Sequence, residues 1–144
     1  MMDGLLELSK SAIESYTGLE LLPQYSYWRF YQKGDVLERH IDRDSCEISV
    51  TLCIGYDVSD VDTKTYPNYN WPMFVKSPSG EELPIHLEPG DLIIYKGCEI
   101  EHWREKFIGK NHAQVFLHYN DGDGPVKQIY DGRSMLGIPK HLLG

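Results

Sequence analysis

The sequence predicts a mainly β fold, a sandwich or jelly roll entered through one short helix. Three observations carry that expectation. A helical stripe of apolar residues is confined to the N-terminus. The rest of the chain breaks into short runs that alternate with a period of two or are apolar throughout. Clusters of Gly, Pro, Asn and Asp separate those runs.

Residues 5–16, LLELSKSAIESY, place Leu5, Leu6, Leu8, Ile13 and Tyr16 on a broad helical stripe. Gly18 is a helix stop, with Pro23 shortly beyond it. SYWRFY (26–31) is rich in aromatics and reads as a strand. Lys33, Gly34 and Asp35 form a turn, after which VLERHID (36–42) extends again. CEISVTLCIGY (46–56) alternates strictly, with Cys46, Ile48, Val50, Leu52 and Ile54 on one face and Glu47, Ser49, Thr51 and Cys53 on the other. VSDVDTKTYPNYN (58–70) is a polar loop, and the segment 57–71 is a candidate lid. WPMFVKS (71–77) and LPIHL (83–87) read as strands joined by a turn at PSGEE. Glu88, Pro89, Gly90 and Asp91 make a tight turn into the apolar strand LIIYKG (92–97). HAQVFLHY (112–119) is the last strong strand, broken by Asp121, Gly122, Asp123, Gly124 and Pro125. The tail, 126–144, is expected to cover one end of the barrel, and Trp28 and Trp71 to lie in the core.

The 144 residues fit one domain, 1–144, around a single core. Apolar residues make up 41% and charged residues 25%, the balance of a soluble globular chain. A net charge of −8 with no Lys/Arg-rich run argues against a nucleic-acid partner. The apolar runs fall far short of the roughly 20 residues that cross a bilayer, and no basic leader opens the chain. Cys46, Cys53 and Cys98 are odd in number and follow no CxxC spacing. They read as reduced thiols of a cytoplasmic protein.

The segment with most chemical content runs from Arg39 to Arg43. Side chains two apart on a strand share a face, so His40 and Asp42 can project together. An imidazole and a carboxylate suit a divalent first-row metal. A third ligand from elsewhere completes the two-His, one-carboxylate facial triad, which leaves coordination positions open. His102, just past the apolar strand in YKGCEIEHW, is the matching third residue. Asp44 is better read as a turn residue, His86 as a strand-face residue and His141 as solvated. Arg43 is expected in a surface ion pair.

YWRFYQKGDVLERHIDR, LEPGDLIIYKGCEIEHW and GKNHAQVFLHYND, in that order, resemble the 2-oxoglutarate/iron(II)-dependent dioxygenases, specifically the prolyl-4-hydroxylase-like branch. The resemblance spans residues 20–123. It implies a double-stranded β-helix with His40, Asp42 and His102 as iron(II) ligands. It implies 2-oxoglutarate and O2 as cosubstrates, and a hydroxylase of a prolyl or other peptide side chain or of a small molecule. Tyr31 matches a tyrosine that contacts 2-oxoglutarate in relatives. Those relatives carry Arg or Lys at the start of the last strand to pair with the distal carboxylate. Here His112 has the position and Lys110 the charge. Trp103 and Arg104, beside His102, and Gln114 and His118, in phase with His112, are the expected lining of the substrate pocket. The alternative is a cupin-like metal-binding module, or a metal enzyme that uses no keto acid.

Overall fold

The computed structural model describes residues 2–132. Most of the tail expected to cap the barrel, with His141, lies outside the described residues. The described residues are mainly β, with one α-helix and eight antiparallel strands in two four-stranded sheets.

Helix α1, Met2–Thr17, opens with Asp3, whose charge favours the positive end of the helix dipole. It closes on Gly18, whose φ of 73° lets its N–H donate to Glu14 O at 2.8 Å. Strands follow at Leu21–Gln32 (β1), Leu37–His40 (β2), Ile48–Asp57 (β3), Met73–Lys76 (β4), Glu82–Ile85 (β5), Leu92–Tyr95 (β6), His102–Arg104 (β7) and Asn111–Asp121 (β8). One sheet runs β1-β8-β3-β6 and the other β2-β7-β4-β5. β1 begins earlier than its aromatic run suggests and tolerates Pro23 because it is an edge strand with a bulge between Pro23 and Tyr25. β7 is a strand the sequence does not announce: three residues are too few to show a period. No helix among the described residues is long and apolar enough to cross a membrane.

The alternating faces of β3 and β8 fix the architecture. Ile48, Val50, Val115, Leu117 and Tyr119 point outward and are covered by Leu6 and Ile13 of α1. Burial of side chains such as Leu6 and Leu117 contributes about 1.5–3 kcal/mol each. Ser49, Thr51, Cys53, His112, Gln114, Phe116 and His118 point the other way, into the space between the sheets. Met73, Val75, Tyr95 and Ile93 close one side of that space. Tyr31, Trp71 and Phe107 close another, with Val58 and Tyr69 of the 58–70 loop packed against them.

Several expectations are corrected here. Cys46 and Glu47 precede β3, Cys46 ending a 3-10 turn at Asp44–Cys46, so the strict alternation begins at Ile48. A register shift between Cys53 and Gly55 leaves Ile54 exposed. Leu8 and Tyr16 are more than 80% exposed, because the stripe that meets the sheet is narrower than the apolar pattern. Trp28 is 60% exposed, since the outward face of β1 runs past the end of α1.

Candidate metal centre

His40 ends β2, Asp42 follows in the next segment, and His102 opens β7, paired with His40 across the sheet. His40 Nε2 lies 3.2 Å and His102 Nε2 3.3 Å from Asp42 Oδ1. One ligand atom from each of the three residues falls within 4.8 Å of the other two. The imidazole planes are tilted, with centroids 4.2 Å apart. Two imidazole nitrogens and a carboxylate oxygen are therefore gathered in one place, a donor set that a divalent first-row metal takes.

The protons are arranged for that role. His40 Nδ1 lies 2.7 Å from Glu38 O, and His102 Nδ1 2.8 Å from Ile100 O. A carbonyl only accepts, so both Nδ1 atoms donate, and each Nε2, which here faces Asp42, is the nitrogen that can ligate once it carries no proton. The hydrogen bond to Asp42 raises the His40 imidazole above its ordinary value. Burial works to raise the Asp42 carboxyl, but hydrogen bonds from His102, His40 and Ser49 outweigh it and hold the group well below the usual carboxylate range. Asp42 is thus an anion at every ordinary pH.

Asp42 is fixed from behind. Ser49 Oγ donates to its Oδ2 at 2.8 Å, and its backbone N–H donates to Gly97 O at 2.8 Å. Ser49 Oγ also lies 3.0 Å from His118 Nδ1. With Ser49 donating to Asp42, His118 donates to Ser49, forming a chain that ends on the carboxylate. Ser49→Ala is expected to weaken metal affinity by about 10- to 100-fold while the fold survives, read by calorimetric titration of Mn(II).

Around this group, Tyr95 packs edge-on against His102 at 4.8 Å and meets Thr51 Oγ1 at 3.2 Å. Tyr25 packs against His118 with tilted rings, centroids 4.6 Å apart, and contacts Cys46 Sγ at 3.0 Å. Tyr27 stacks on Phe116 at 4.7 Å. Burial raises all three phenols, that of Tyr27 to about 12, so each keeps its hydroxyl hydrogen.

The remaining expected site residues divide. Gln114 and His118 face the interior, both under 5% exposed. Tyr31 is buried beyond them, with its hydroxyl 3.4 Å from Gln114 Nε2. Arg104 is a correction of place: it is 1% exposed, deep between the sheets. It donates through Nη2 to Gln114 Oε1 at 2.8 Å and through Nη1 to Trp71 O. Burial lowers its guanidinium to about 10, which leaves it charged at neutral pH.

Three further placements depart from expectation. Trp103 points away from the interior, stacking on Phe74 at 5.5 Å under Arg39 at 3.6 Å, because its strand neighbours His102 and Arg104 take the inward face. Lys110 is at the surface, bonded to Ser59 at 2.9 Å and near Asp57. His112 faces inward but is fully buried beside Arg104. Burial first, then that guanidinium, lowers it to about 4, so it is neutral and no cation for a carboxylate.

Sequence reasoning misses Ser49, Gly97, Tyr25 and Tyr95. Only Ser49 leaves a trace, as a member of the polar face of β3. His86 bonds Asn70 at 2.7 Å, away from this group, and Arg43 pairs with Asp131 at 2.9 Å.

No family model matches the chain, and no curated protein matches it. Among solved structures, it superposes on a prolyl-4-hydroxylase from Pseudomonas putida at a TM-score of 0.57 with 18% identity, covering 81% of this chain and 62% of that one. It superposes on an oxidoreductase of the 2OG-Fe(II) oxygenase family from Burkholderia pseudomallei at a TM-score of 0.65 with 15% identity, covering 88% of this chain and 60% of that one. The chain thus spans about three fifths of the length of either neighbour. At such identities the likeness establishes a fold held in common with 2OG-Fe(II) oxygenases.

Proposed function

We propose that the chain is a non-haem iron(II) oxygenase that couples oxidative decarboxylation of 2-oxoglutarate to hydroxylation of a second substrate, a peptide side chain or a small molecule. It does so within one domain whose two sheets form a double-stranded β-helix. The observation that carries this reading is the convergence of His40 Nε2, His102 Nε2 and Asp42 Oδ1, with both Nδ1 hydrogens committed to carbonyls. Two nitrogens and one oxygen fit iron(II) and leave positions for other ligands. When bound there, iron(II) supplies the redox chemistry of oxygen activation.

The chain's own residues do the rest. Ser49 and Gly97 O orient Asp42. Tyr95 and Phe116 line the interior with aromatic surface that limits water, and the partly exposed Tyr27 stacks on Phe116. His118, neutral and 3% exposed, steadies Ser49 without adding charge near the cation.

A second reading, a metal-binding module without a keto acid, draws on one observation: the start of β8 offers neutral His112 and surface Lys110 rather than an inward Lys or Arg. The two readings separate in one experiment. Protein loaded with iron(II) and given 2-oxoglutarate under air is expected to release succinate, and His102→Ala to release none. Anaerobically, the wild type is expected to develop a metal-to-ligand charge-transfer band on adding 2-oxoglutarate. Iron binding without that band would favour the module, and absence of iron binding would sink both.

A further inference from the structure

Arg104 is a buried cation whose hydrogen-bond partners among the described residues are neutral. The guanidinium meets the Trp71 carbonyl and Gln114 Oε1, and its Nε has no partner. His112 Nδ1, 0% exposed on β8 of the facing sheet, also lacks a partner. A charge taken out of water is expensive unless an opposite charge meets it. The surroundings are nonetheless built to keep it. Trp71 holds φ at 55°, a left-handed conformation unusual for a bulky residue, while its indole N–H donates to Glu105 O at 2.7 Å. That arrangement directs the Trp71 carbonyl at the guanidinium.

Position supplies the second half. Arg104 lies two residues beyond His102 on β7, and both side chains enter the same interior. Their backbone positions are about 6.6 Å apart along a strand. A five-carbon diacid spans roughly 5 Å between its end carbons. Tyr31 and Gln114 stand at the same end, the Gln114 amide touching both the phenol and the guanidinium.

The geometry points to Arg104 as the cation that holds the far carboxylate of a dicarboxylic 2-keto acid, with Tyr31 and Gln114 as neutral donors beside it. This rests on the oxygenase reading above. It moves to β7 a charge that the resemblance places at the start of the last strand.

Manganese(II)-loaded protein is titrated calorimetrically with 2-oxoglutarate and with pyruvate, which lacks the far carboxylate. Wild type is expected to favour 2-oxoglutarate by about 100-fold. Arg104→Met is expected to erase that preference and leave Mn(II) and pyruvate affinities unchanged. Arg104→Lys, which keeps the charge but not the fork, is expected to retain part of it. Metal-free Arg104→Met is expected to melt at or above the wild-type temperature, because a buried charge without an acid partner is removed. A merely structural arginine would instead lower the melting temperature and weaken both keto acids alike, overturning the assignment. So would a preference that survives Arg104→Met but disappears in Arg29→Met, the other arginine near Tyr31. If wild type binds Mn(II) and both keto acids equally, this inference fails and the metal centre stands. If it binds no metal or neither keto acid, the oxygenase reading fails and takes the inference with it.

Discussion

Gly97→Ala is expected to remove metal binding. A Cβ at this position would overlap Asp42 Oδ2 and Ser49 Oγ and stand 2.5 Å from Cys46 O. None of these can retreat easily. The Asp42 backbone is tied to Gly97 O, and the Ser49 hydroxyl is shared between Asp42 and His118. The new methyl therefore pushes the carboxylate off the point where His40 and His102 converge. Affinity for Mn(II), measured by titration, should fall by more than about 100-fold, beyond the loss expected from removing a supporting hydrogen bond alone. Overpacking should also lower stability by about 1–3 kcal/mol. The control is Gly55→Ala, where an added Cβ meets nothing within 4 Å and metal affinity should be unchanged. A Gly97→Ala protein that binds metal like the wild type would show that Asp42 does not hold it.

The metal-free protein is also expected to lose stability steeply between pH 6.5 and 4. Burial lowers both His112 and His118 to about 4, with Arg104 adding to the effect on His112. In the unfolded chain both imidazoles titrate near 6.5. Across that window the unfolded state binds more protons than the folded one, so stability rises with pH and falls with acid. Each imidazole contributes roughly 3 kcal/mol to the loss, which is complete once the pH passes below their folded values. Asp42 acts in the same direction at lower pH: its depressed carboxyl stabilises the fold above the unfolded carboxylate range, and that contribution fades as acid protonates it. Urea melts at pH 7 and pH 4.5 should show the difference, and His118→Asn should remove about half of the change. A flat profile over that range would mean that neither ring is buried as described.

How much of this is legible in the sequence depends on range. His40, Asp42 and His102 can be read because two local facts place them, a strand period of two and a position just past an apolar strand. The two faces of β3 can be read as well. Which face turns inward cannot, because that depends on where α1 lands, and α1 covers the apolar side. Trp103 and Arg104 show the cost of an unseen three-residue strand. With no visible period, adjacency to His102 makes Trp103 look like the pocket wall, whereas alternation gives that face to Arg104. Gly97 is silent because its constraint is crowding from Asp42, Ser49 and Cys46, which only the folded chain brings around it. Lys110 has the charge the motif wants, but its side chain turns to Asp57 and Ser59 at the surface.

The alternation along β3 and β8 has a consequence for how such a molecule can change over generations. Residues that pack under α1 and residues that face the space between the sheets, where the proposed ligands would lie, occupy interleaved positions on the same two strands. Substitutions at Thr51 or Phe116 can therefore reshape that space while the layer beneath α1 stays untouched. A scaffold divided in this way lets the two faces of one strand change under separate constraints.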